Sequence, residues 1–388
     1  MTSDFSKYRK SFFVLYSIIS FILSLSPSFL PGIMKIMIEI FQQSLYNKIK
    51  FYEDKLLNES YYKSRTHLSP CPPGGAVMNY FSIVLEQVEV FVVYLLIGII
   101  AVKTNVLNRE KLGALSSCVT KILLPLLIFS NAINGATKEQ FLSSTVILLL
   151  TAVFYLVLYL TTAAVSKLLR LDAQHKNLYR ACSMFGNCGF MGIPIILALY
   201  PEQGGIYIAV FTVIDQLVLW TIGLDLTSPP ESQTSVSLSK RLIKMVNPAT
   251  IAITTGVFLV LTGIKLPAAV VNALAKTGSA ASPLAMIYLG GVFCYIKIRN
   301  YLKCREIYAT VLIKMILLPI AFYTIMHYIP SIDRSIAVTL SVLCALPSMA
   351  SIAMIAETQH SDGDYAAGMI FITTLFSIVT LPLVCLCL

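Results

Sequence analysis

The sequence predicts an all-α membrane protein with ten transmembrane helices, arranged as two inverted repeats of five helices each. Its 388 residues are 57% hydrophobic and only 12% charged, with a mean hydropathy of +0.78. Apolar runs repeatedly reach the roughly 20 residues that a helix needs to cross a bilayer. Helix-breaking residues also recur at corresponding places in the two halves of the chain, which predicts the repeat.

Ten candidate spans follow Met78, and the charges between them give their orientation. Fourteen Lys and Arg lie in or near the connections after odd-numbered spans, whereas four lie in or near those after even-numbered spans; the acidic connection after span nine is an exception and has none. By the positive-inside rule the odd-numbered connections are cytoplasmic, so both ends of the ten-helix core are predicted to lie outside the cell membrane. The net charge of +10 therefore reflects topology, and no nucleic acid partner is expected. The predicted spans are 80–102, 112–134, 142–169, 179–200, 204–226, 245–263, 268–296, 306–329, 335–357 and 364–387.

Two pairs of positions mark the repeat. Pro125 in span two corresponds to Pro283 in span seven, 158 residues later, and Gly186 in span four corresponds to Pro347 in span nine, 161 residues later. Because each half has an odd number of spans, the second half enters the membrane in the opposite sense. A polar, Ser- and Pro-rich segment between the halves is the predicted cytoplasmic connector. The resulting divisions are a first repeat 78–226, a connector 227–244 and a second repeat 245–388.

Residues 1–77 differ from the rest, and two interpretations of them are open. The apolar run 11–33 behind basic residues would form an eleventh span or a signal-like segment. Alternatively, translation starts at Met78. A purine-rich ribosome-binding sequence that is read in frame would be translated as Gly-Gly, and Gly74 and Gly75 lie just before that Met. A peptide from the first 77 residues, found by mass spectrometry, would exclude the second interpretation.

Span four contains the stretch FGNCGFMGIP, which places three glycines and a proline inside an apolar run. Pro194 lacks an N–H and its ring clashes with the carbonyl of Phe190, so an interruption of the helix is expected here. In hydrocarbon an interruption persists only where it is buried in protein or lines a wet cavity, where its unpaired backbone groups can bind an ion or a carboxylate. The alternative is a stripe of small residues that lets two helices pack closely.

A matching interruption in span nine favours a binding site. Pro347 lies in the stretch ALPSMASI, and paired interruptions in two inverted halves point to a transport site. Asn187 adds a side chain that both donates and accepts hydrogen bonds. Tyr288, beside two glycines in span seven, is expected either to line a cavity or to pack in the core. The predicted substrate-binding residues are Gly186, Asn187, Cys188, Gly189, Pro347, Ser348, Ser351, Tyr288 and Asn131.

Ionisable side chains inside spans are candidates for charge compensation, because a charge in the membrane normally faces a cavity or a partner. Asp215, midway through span five, is the candidate for a proton-linked group, with a hydrogen-bonded structural role as the alternative. Lys121 would suit an anionic substrate near the N-terminus of a half-helix. Lys121 and Lys314 also lie close enough to the cytoplasmic ends of their spans to extend toward the interface instead.

The sequence contains no pattern typical of catalysis or metal binding. Its nine cysteines and four histidines are dispersed, without a Cys-x-x-Cys pair or a histidine at ligand spacing. No acid–base or nucleophile pair occurs at a useful spacing. We therefore expect neither an enzyme nor a bound cofactor or metal.

Four motifs together resemble the auxin efflux carrier family, whose prokaryotic members are often called malate permease-like transporters. They are LLPLLIFSNAI in span two, FGNCGFMGIPI in span four, MVNPATIAITTGVFLVLTGIKLP at the start of the second half and ALPSMASIAMIAE in span nine, and the resemblance covers 78–388. It implies that the fourth and ninth helices are broken and cross at the midplane beside the substrate, with Asn187 at the crossover. Cys188 stands where members often have Thr, which leaves a hydroxyl contact there without support. The short connector, unlike the long loop of many plant carriers, argues against kinase-regulated auxin transport.

The expected function is that of a secondary transporter that moves a small organic anion, such as a dicarboxylate or a weak acid, by alternating access. The substrate site is expected between spans two, four, seven and nine. Partners are the anion, the lipid bilayer and, if transport is coupled, protons, because no cluster of carboxylates suited to Na⁺ is visible; a homodimer is an open question. A sensor or receptor that kept the transporter fold, and a channel, are the alternatives.

Overall fold

Helices make up the regular structure of the part of the chain that the computed structural model describes, residues 75–135, 145–229 and 248–388. Within these ranges the exception is one isolated antiparallel β-bridge between Gly186 and Ser348. The predicted extension up to residue 74 and most of the predicted connector lie outside the described residues. Helices occupy each of the ten predicted spans, so the all-helical fold expected from hydropathy is confirmed for the described ranges.

The helices of the first predicted half include four that are long and apolar enough to cross a bilayer in one piece, α1, α2, α3 and α6. Between α3 and α6 the chain forms two shorter helices that are separated by a break. The bounds are α1 (Gly75–Lys103), α2 (Arg109–Ile133), α3 (Thr145–Leu168), α4 (Ala173–Met184), α5 (Cys188–Leu199) and α6 (Gly204–Thr227).

The second predicted half has two such long helices in the described residues, α11 and α14, and a second break, between α12 and α13. The predicted span 268–296 consists of two helices joined at Ala280. The bounds are α7 (Pro248–Thr262), α8 (Ala268–Ser279), α9 (Ala281–Phe293), α10 (Ile298–Tyr301), α11 (Arg305–His327), α12 (Arg334–Ala345), α13 (Ser351–Thr358) and α14 (Gly363–Cys385).

Acidic N-cap residues fix where two of these helices begin. Asp172 accepts a hydrogen bond from the backbone N–H of His175 at the start of α4, and Asp362 accepts one from Tyr365 at the start of α14. Each carboxylate satisfies an N–H that has no partner inside its helix. The His175 ring lies between the two caps, with Nδ1 2.9 Å from Asp172 Oδ2 and Nε2 3.6 Å from Asp362 Oδ2. The starts of α4 and α14 are therefore held side by side.

Three prolines in apolar helices each follow a π-helical turn by two residues. The turns are Val119–Leu123, Cys188–Gly192 and Ile313–Leu317, and the prolines are Pro125, Pro194 and Pro319. A π-turn shifts the hydrogen bonds from i→i−4 to i→i−5, so the N–H that proline lacks is not needed at its usual place. These helices therefore continue through their prolines.

The expected interruption at Pro194 is wrong in its position. Pro194 lies inside α5, whereas the chain leaves the helical conformation earlier, at Phe185, where the backbone is extended. The carbonyl of Phe190, which an α-helical residue 194 would use, instead accepts a hydrogen bond of 2.5 Å from Ser282 Oγ of α9. Because the Ser282 hydroxyl pairs with the Phe190 carbonyl, the missing N–H of Pro194 does not leave a buried acceptor without a hydrogen bond.

Helices α1 and α9 pack backbone against backbone through glycines. A Cβ atom added at Gly98 would lie 2.0 Å from the carbonyl oxygen of Ile287, and one added at Gly290 would lie 2.0 Å from that of Leu95. Such separations are far inside van der Waals contact, so only glycine fits at these positions. Small residues allow this close approach between apolar helices, where the hydrophobic effect gives no drive for association. The contact joins the first predicted half to the second.

We predict that Gly290→Ala lowers thermal stability although alanine favours the helical state. The new methyl group must displace backbone atoms of α1, and overpacking of this kind costs about 1–3 kcal/mol. The measurement is the melting temperature of the detergent-solubilised protein.

The matched control is Gly113→Ala in α2, where an added Cβ has no atom within 4 Å. Its melting temperature should be unchanged or higher, since alanine is about 1 kcal/mol better than glycine in a helix. Equal melting temperatures for the two variants would contradict the close packing of α1 on α9.

Candidate functional site

The two helix breaks meet and complete each other's backbone hydrogen bonds. Asn187 N donates to the carbonyl of Pro347 at 2.9 Å, and Met349 N donates to the carbonyl of Phe185 at 3.0 Å. These two bonds form the antiparallel bridge between Gly186 and Ser348. We call residues 185–188 and 346–349 the junction. Because the junction is buried among apolar helices, each of these pairings removes a polar group that would otherwise lack a partner.

Side chains from neighbouring helices satisfy further backbone groups of the junction. Lys314 Nζ of α11 donates to the carbonyl of Leu346, at the C-terminal end of α12. Ser348 N donates to Thr373 Oγ1 of α14 at 3.1 Å. The irregular backbone is thus enclosed by protein and held by partners from two further helices.

The glycines of the predicted stretch are explained mainly by close packing. A Cβ at Gly186 would lie 3.2 Å from the carbonyl oxygen of Leu343, and one at Gly192 would lie 2.9 Å from side-chain atoms of Leu343 and Leu346. A Cβ at Gly189 would lie 3.0 Å from Leu124 of α2. The interpretation as a stripe of small residues therefore holds for these positions, alongside the interruption at Gly186.

Two side chains at the junction present polar atoms without a hydrogen-bond partner among the described residues. Asn187 is 1% exposed and its Nδ2 is unpaired, and Ser348 is fully buried and its Oγ is unpaired. An unpaired buried polar atom costs about 1–3 kcal/mol, so each one calls for an explanation such as a bound ion or ligand. One such atom comes from each broken helix, on adjacent strands of the same bridge.

Asp215 belongs to a buried hydrogen-bond network beside the junction. One of its carboxylate oxygens accepts from the Tyr155 hydroxyl of α3, and the other accepts from Gln216 Nε2 at 3.0 Å. Gln216 Oε1 in turn accepts from Trp220 Nε1 at 3.0 Å. The Tyr155 ring lies 5.7 Å from the ring of Phe185, which starts the first break. Asp215 is therefore linked to the junction through Tyr155.

The two candidate lysines lie in environments opposite to those expected: Lys121 is exposed and Lys314 is buried. The side chain of Lys121 is exposed on the π-turn of α2, so it is not part of the buried junction. Lys314, expected to extend toward the interface, is 2% exposed and contacts the junction through Leu346. The expectation for Lys314 is wrong because the C-terminal carbonyl of α12 offers its ammonium group a closer partner than the interface does. No local sequence pattern reveals this contact, because the partner of Lys314 belongs to another helix.

The structure does not bring all predicted binding residues to the junction. Tyr288 lines a separate cavity of about 830 Å³ between α2, α9, α13 and α14. Ser351 begins α13, just beyond the junction, and is partly buried. Asn131 of α2 is also partly buried, and its Nδ2 has no partner among the described residues. Within those residues no group of three or more His, Cys, Asp or Glu side chains is placed to hold a metal ion.

These apolar helices, with their interruptions joined inside the protein, define a multi-pass membrane protein. The chain belongs to the membrane transport protein family, which matches residues 82–385. The resemblance to auxin efflux carriers drawn from four motifs is thereby confirmed.

Two curated relatives are similar to this chain over most of its described length. It is 26% identical over 312 residues to an uncharacterized transporter of Methanocaldococcus jannaschii, an alignment that covers 77% of this chain and 97% of that protein. It is also 26% identical over 267 residues to the lysosomal cholesterol signaling protein of Mus musculus, covering 64% of this chain and 30% of that protein. The likeness to the archaeal protein extends along nearly its whole length, whereas the mouse protein is matched over about a third.

We predict that Tyr155→Phe lowers the free energy of unfolding by roughly 1–2 kcal/mol, because it leaves one oxygen of the buried Asp215 carboxylate without a donor. The phenylalanine ring keeps the aromatic contacts. Thermal unfolding of wild type, Tyr155→Phe, Asp215→Asn and the double variant forms a cycle, and we expect a coupling of at least about 0.5 kcal/mol.

Tyr328→Phe is the control, because Tyr328 is 79% exposed. Strictly additive effects of Tyr155→Phe and Asp215→Asn would show that the two side chains do not interact.

Proposed function

We propose that this protein is a secondary transporter that moves a small organic anion across the membrane by alternating access, with the junction as the substrate site. The observation that carries the proposal is the pair of unpaired, buried polar atoms, Asn187 Nδ2 and Ser348 Oγ, contributed by two broken helices. An amide N–H donor and a hydroxyl are suitable partners for the oxygens of a carboxylate. A bound anion would supply the hydrogen bonds that these atoms lack.

Helix ends at the junction provide partial positive charge for an anion, beside the partial negative charge of the C-terminal ends of α4 and α12. Helices α5 and α13 both begin directly after the breaks, so their N-terminal ends, which carry partial positive charge, lie at the junction. Discontinuous helices whose N-termini point at a substrate carboxylate are a recurring arrangement in transporters. The Asn187 amide adds a donor at the N-terminal end of α5, which favours an anion at that end.

The proposed mechanism treats the chain as ten spans in two inverted repeats, 78–226 and 245–388, with both ends of the core outside the cell membrane. The two repeats would rock against each other around the junction, exposing it to one side at a time. The contact of α1 with α9 and the bridge of the junction both join one repeat to the other, so a relative movement changes them together.

The cavity that contains Tyr288 is a suitable cytoplasmic entrance. It is lined by residues at the ends of helices, among them Arg109 at the start of α2 and Asp362 before α14. On the proposed topology the adjoining loops lie in the cytoplasm. Ala353 and Met354 of α13 also line it, and α13 starts two residues after the junction. The cavity would thus give the substrate a path along α13.

Proton coupling would use Asp215. Its carboxylate is buried and hydrogen-bonded to Tyr155, whose ring packs on Phe185 of the junction. Addition of a proton to Asp215 would remove the charge from its hydrogen bond with Tyr155, weaken that bond and so change the support of the junction.

A sensor is the second candidate. The observation that favours it is the similarity to a mouse protein named for cholesterol signaling, of which the chain matches 30%. A sensor of this type would bind its ligand at the junction and carry no flux, so measurement of transport separates the two candidates.

We predict that Asn187→Ala abolishes most malate uptake by proteoliposomes, by at least about tenfold, because the substrate loses a buried hydrogen bond. The folded state should remain, since the backbone N–H of Asn187 that pairs with Pro347 is kept. Uptake of [14C]malate, together with the melting temperature of each variant, is the measurement.

Asn272→Ala, in the exposed part of α8, is the matched control and should transport as wild type does. Full uptake by folded Asn187→Ala would remove this side chain from the site. Specific malate binding without any flux would favour the sensor.

A further inference from the structure

We propose that Lys314 supplies the positive charge that selects anionic substrates at the junction, in contact with the substrate carboxylate. This inference rests on the proposed function and assigns a residue that the sequence motifs leave out. Its basis is the position of the ammonium group, its burial and the partners that it has and lacks.

Lys314 is an unusual residue for the interior of this protein. Among the described residues the only charged side chains that are almost fully buried are Lys314, at 2% exposure, and Asp215, at 3%. A charge inside a membrane protein is costly and is normally paired or functional. Asp215 has donors for both of its oxygens, from Tyr155 and Gln216.

Lys314 is held by a carbonyl group and not by a carboxylate. Its Nζ donates to Leu346, and the described residues show no ion pair that joins it to Asp or Glu. A lysine ammonium group has three donors. The Leu346 carbonyl uses one of them and carries only the partial negative charge of a helix C-terminus. The ammonium group therefore keeps donors and most of its charge for a further, anionic partner.

The ammonium group lies at the predicted binding residues. A Cβ built on Gly186 would be 3.5 Å from Lys314 Nζ, and Gly186 is the residue next to Asn187. A side chain longer than that of alanine at position 186 would therefore meet the ammonium group, and glycine avoids that contact. Gly186 pairs with Ser348 in the bridge and directly precedes Asn187, so the Lys314 ammonium lies next to the stretch of backbone that carries both unpaired side chains.

The surroundings of Lys314 strengthen its attraction for an anion. The buried Cys344 is one neighbour, with its Sγ 3.7 Å from the Lys314 carbonyl oxygen. In such a weakly polar interior an isolated charge is costly and charge–charge interactions are stronger than in water, so an anionic partner stabilises the ammonium group.

A cavity beside Lys314 has no space for an organic anion. Lys314 lines it with Ser183 and Thr310, and its volume is only about 10 Å³, at most the space of one water molecule. In this proposal an organic anion therefore contacts the ammonium group at the junction, where the Leu346 carbonyl is its present partner.

A purely structural role for Lys314 makes a different prediction from a binding role. If the lysine only completes the hydrogen bonding of α12, a glutamine amide, which also donates to a carbonyl, would serve almost as well. If its charge binds the substrate, glutamine keeps the support of Leu346 and loses the affinity for the anion. The Lys314→Gln variant separates the two roles.

The test measures [14C]malate uptake by full-length protein in proteoliposomes, over a range of malate concentrations. We expect Lys314→Gln to remain folded by size-exclusion chromatography and melting temperature, and to need at least about tenfold more malate for half-maximal uptake. Lys276→Gln, which neutralises an exposed lysine of α8, is the matched control and should behave as wild type.

A second measurement uses wild type alone, in case Lys314→Gln does not fold. Unlabelled malate should compete with [14C]malate at least about tenfold better than malic diamide, the neutral analogue of the same shape. Equal competition by malate and the diamide, or equal half-maximal concentrations for wild type and folded Lys314→Gln, would overturn the role of Lys314 while the transport function stands. An absence of malate uptake by wild type would overturn both proposals.

Discussion

The requirement that every backbone polar group find a partner in hydrocarbon is the constraint on which the rest of this structure depends. Two helices are interrupted inside the protein, and neither interruption can satisfy itself. The bonds from Asn187 to Pro347 and from Met349 to Phe185 solve this by pairing one break with the other. Because the two breaks come from different halves of the chain, the requirement also fixes how the halves meet. Glycine at position 186 and the contacts from α11 and α14 follow from the same requirement, since they allow or complete that pairing.

Much of the helical fold could be predicted from the sequence, because hydropathy and the length of a membrane span are local properties. The presence of interruptions near Gly186 and Pro347 was also predictable from helix-breaking residues in two similar halves. Their exact placement was not. Pro194 was expected to break its helix, and it lies within α5, because a π-turn and the distant Ser282 hydroxyl supply what proline removes. The hydroxyl belongs to another half of the chain, so no local pattern reveals it.

The candidate site was predictable to the extent that it depends on the breaks themselves. Gly186, Asn187, Pro347 and Ser348 are brought together as the paired motifs indicate. The charges were harder, because whether a lysine ten residues into a span reaches the interface or turns inward depends on a partner from another helix. For Lys314 that partner is the carbonyl end of α12, whereas Lys121 has its side chain exposed. The result is a buried cation and a buried carboxylate that are each held by hydrogen bonds beside one junction, without being paired to each other.

The central claim is that the junction of the two broken helices holds an anion. A map of the full-length protein in lipid nanodiscs, determined by electron cryomicroscopy with saturating malate and again without it, tests this claim most directly. We predict additional density in the malate-bound map within hydrogen-bond distance of Asn187 Nδ2 and Ser348 Oγ, with the Lys314 ammonium group beside it. Identical maps at the junction, with malate bound elsewhere or with residues 185–188 and 346–349 separated by lipid, would contradict it.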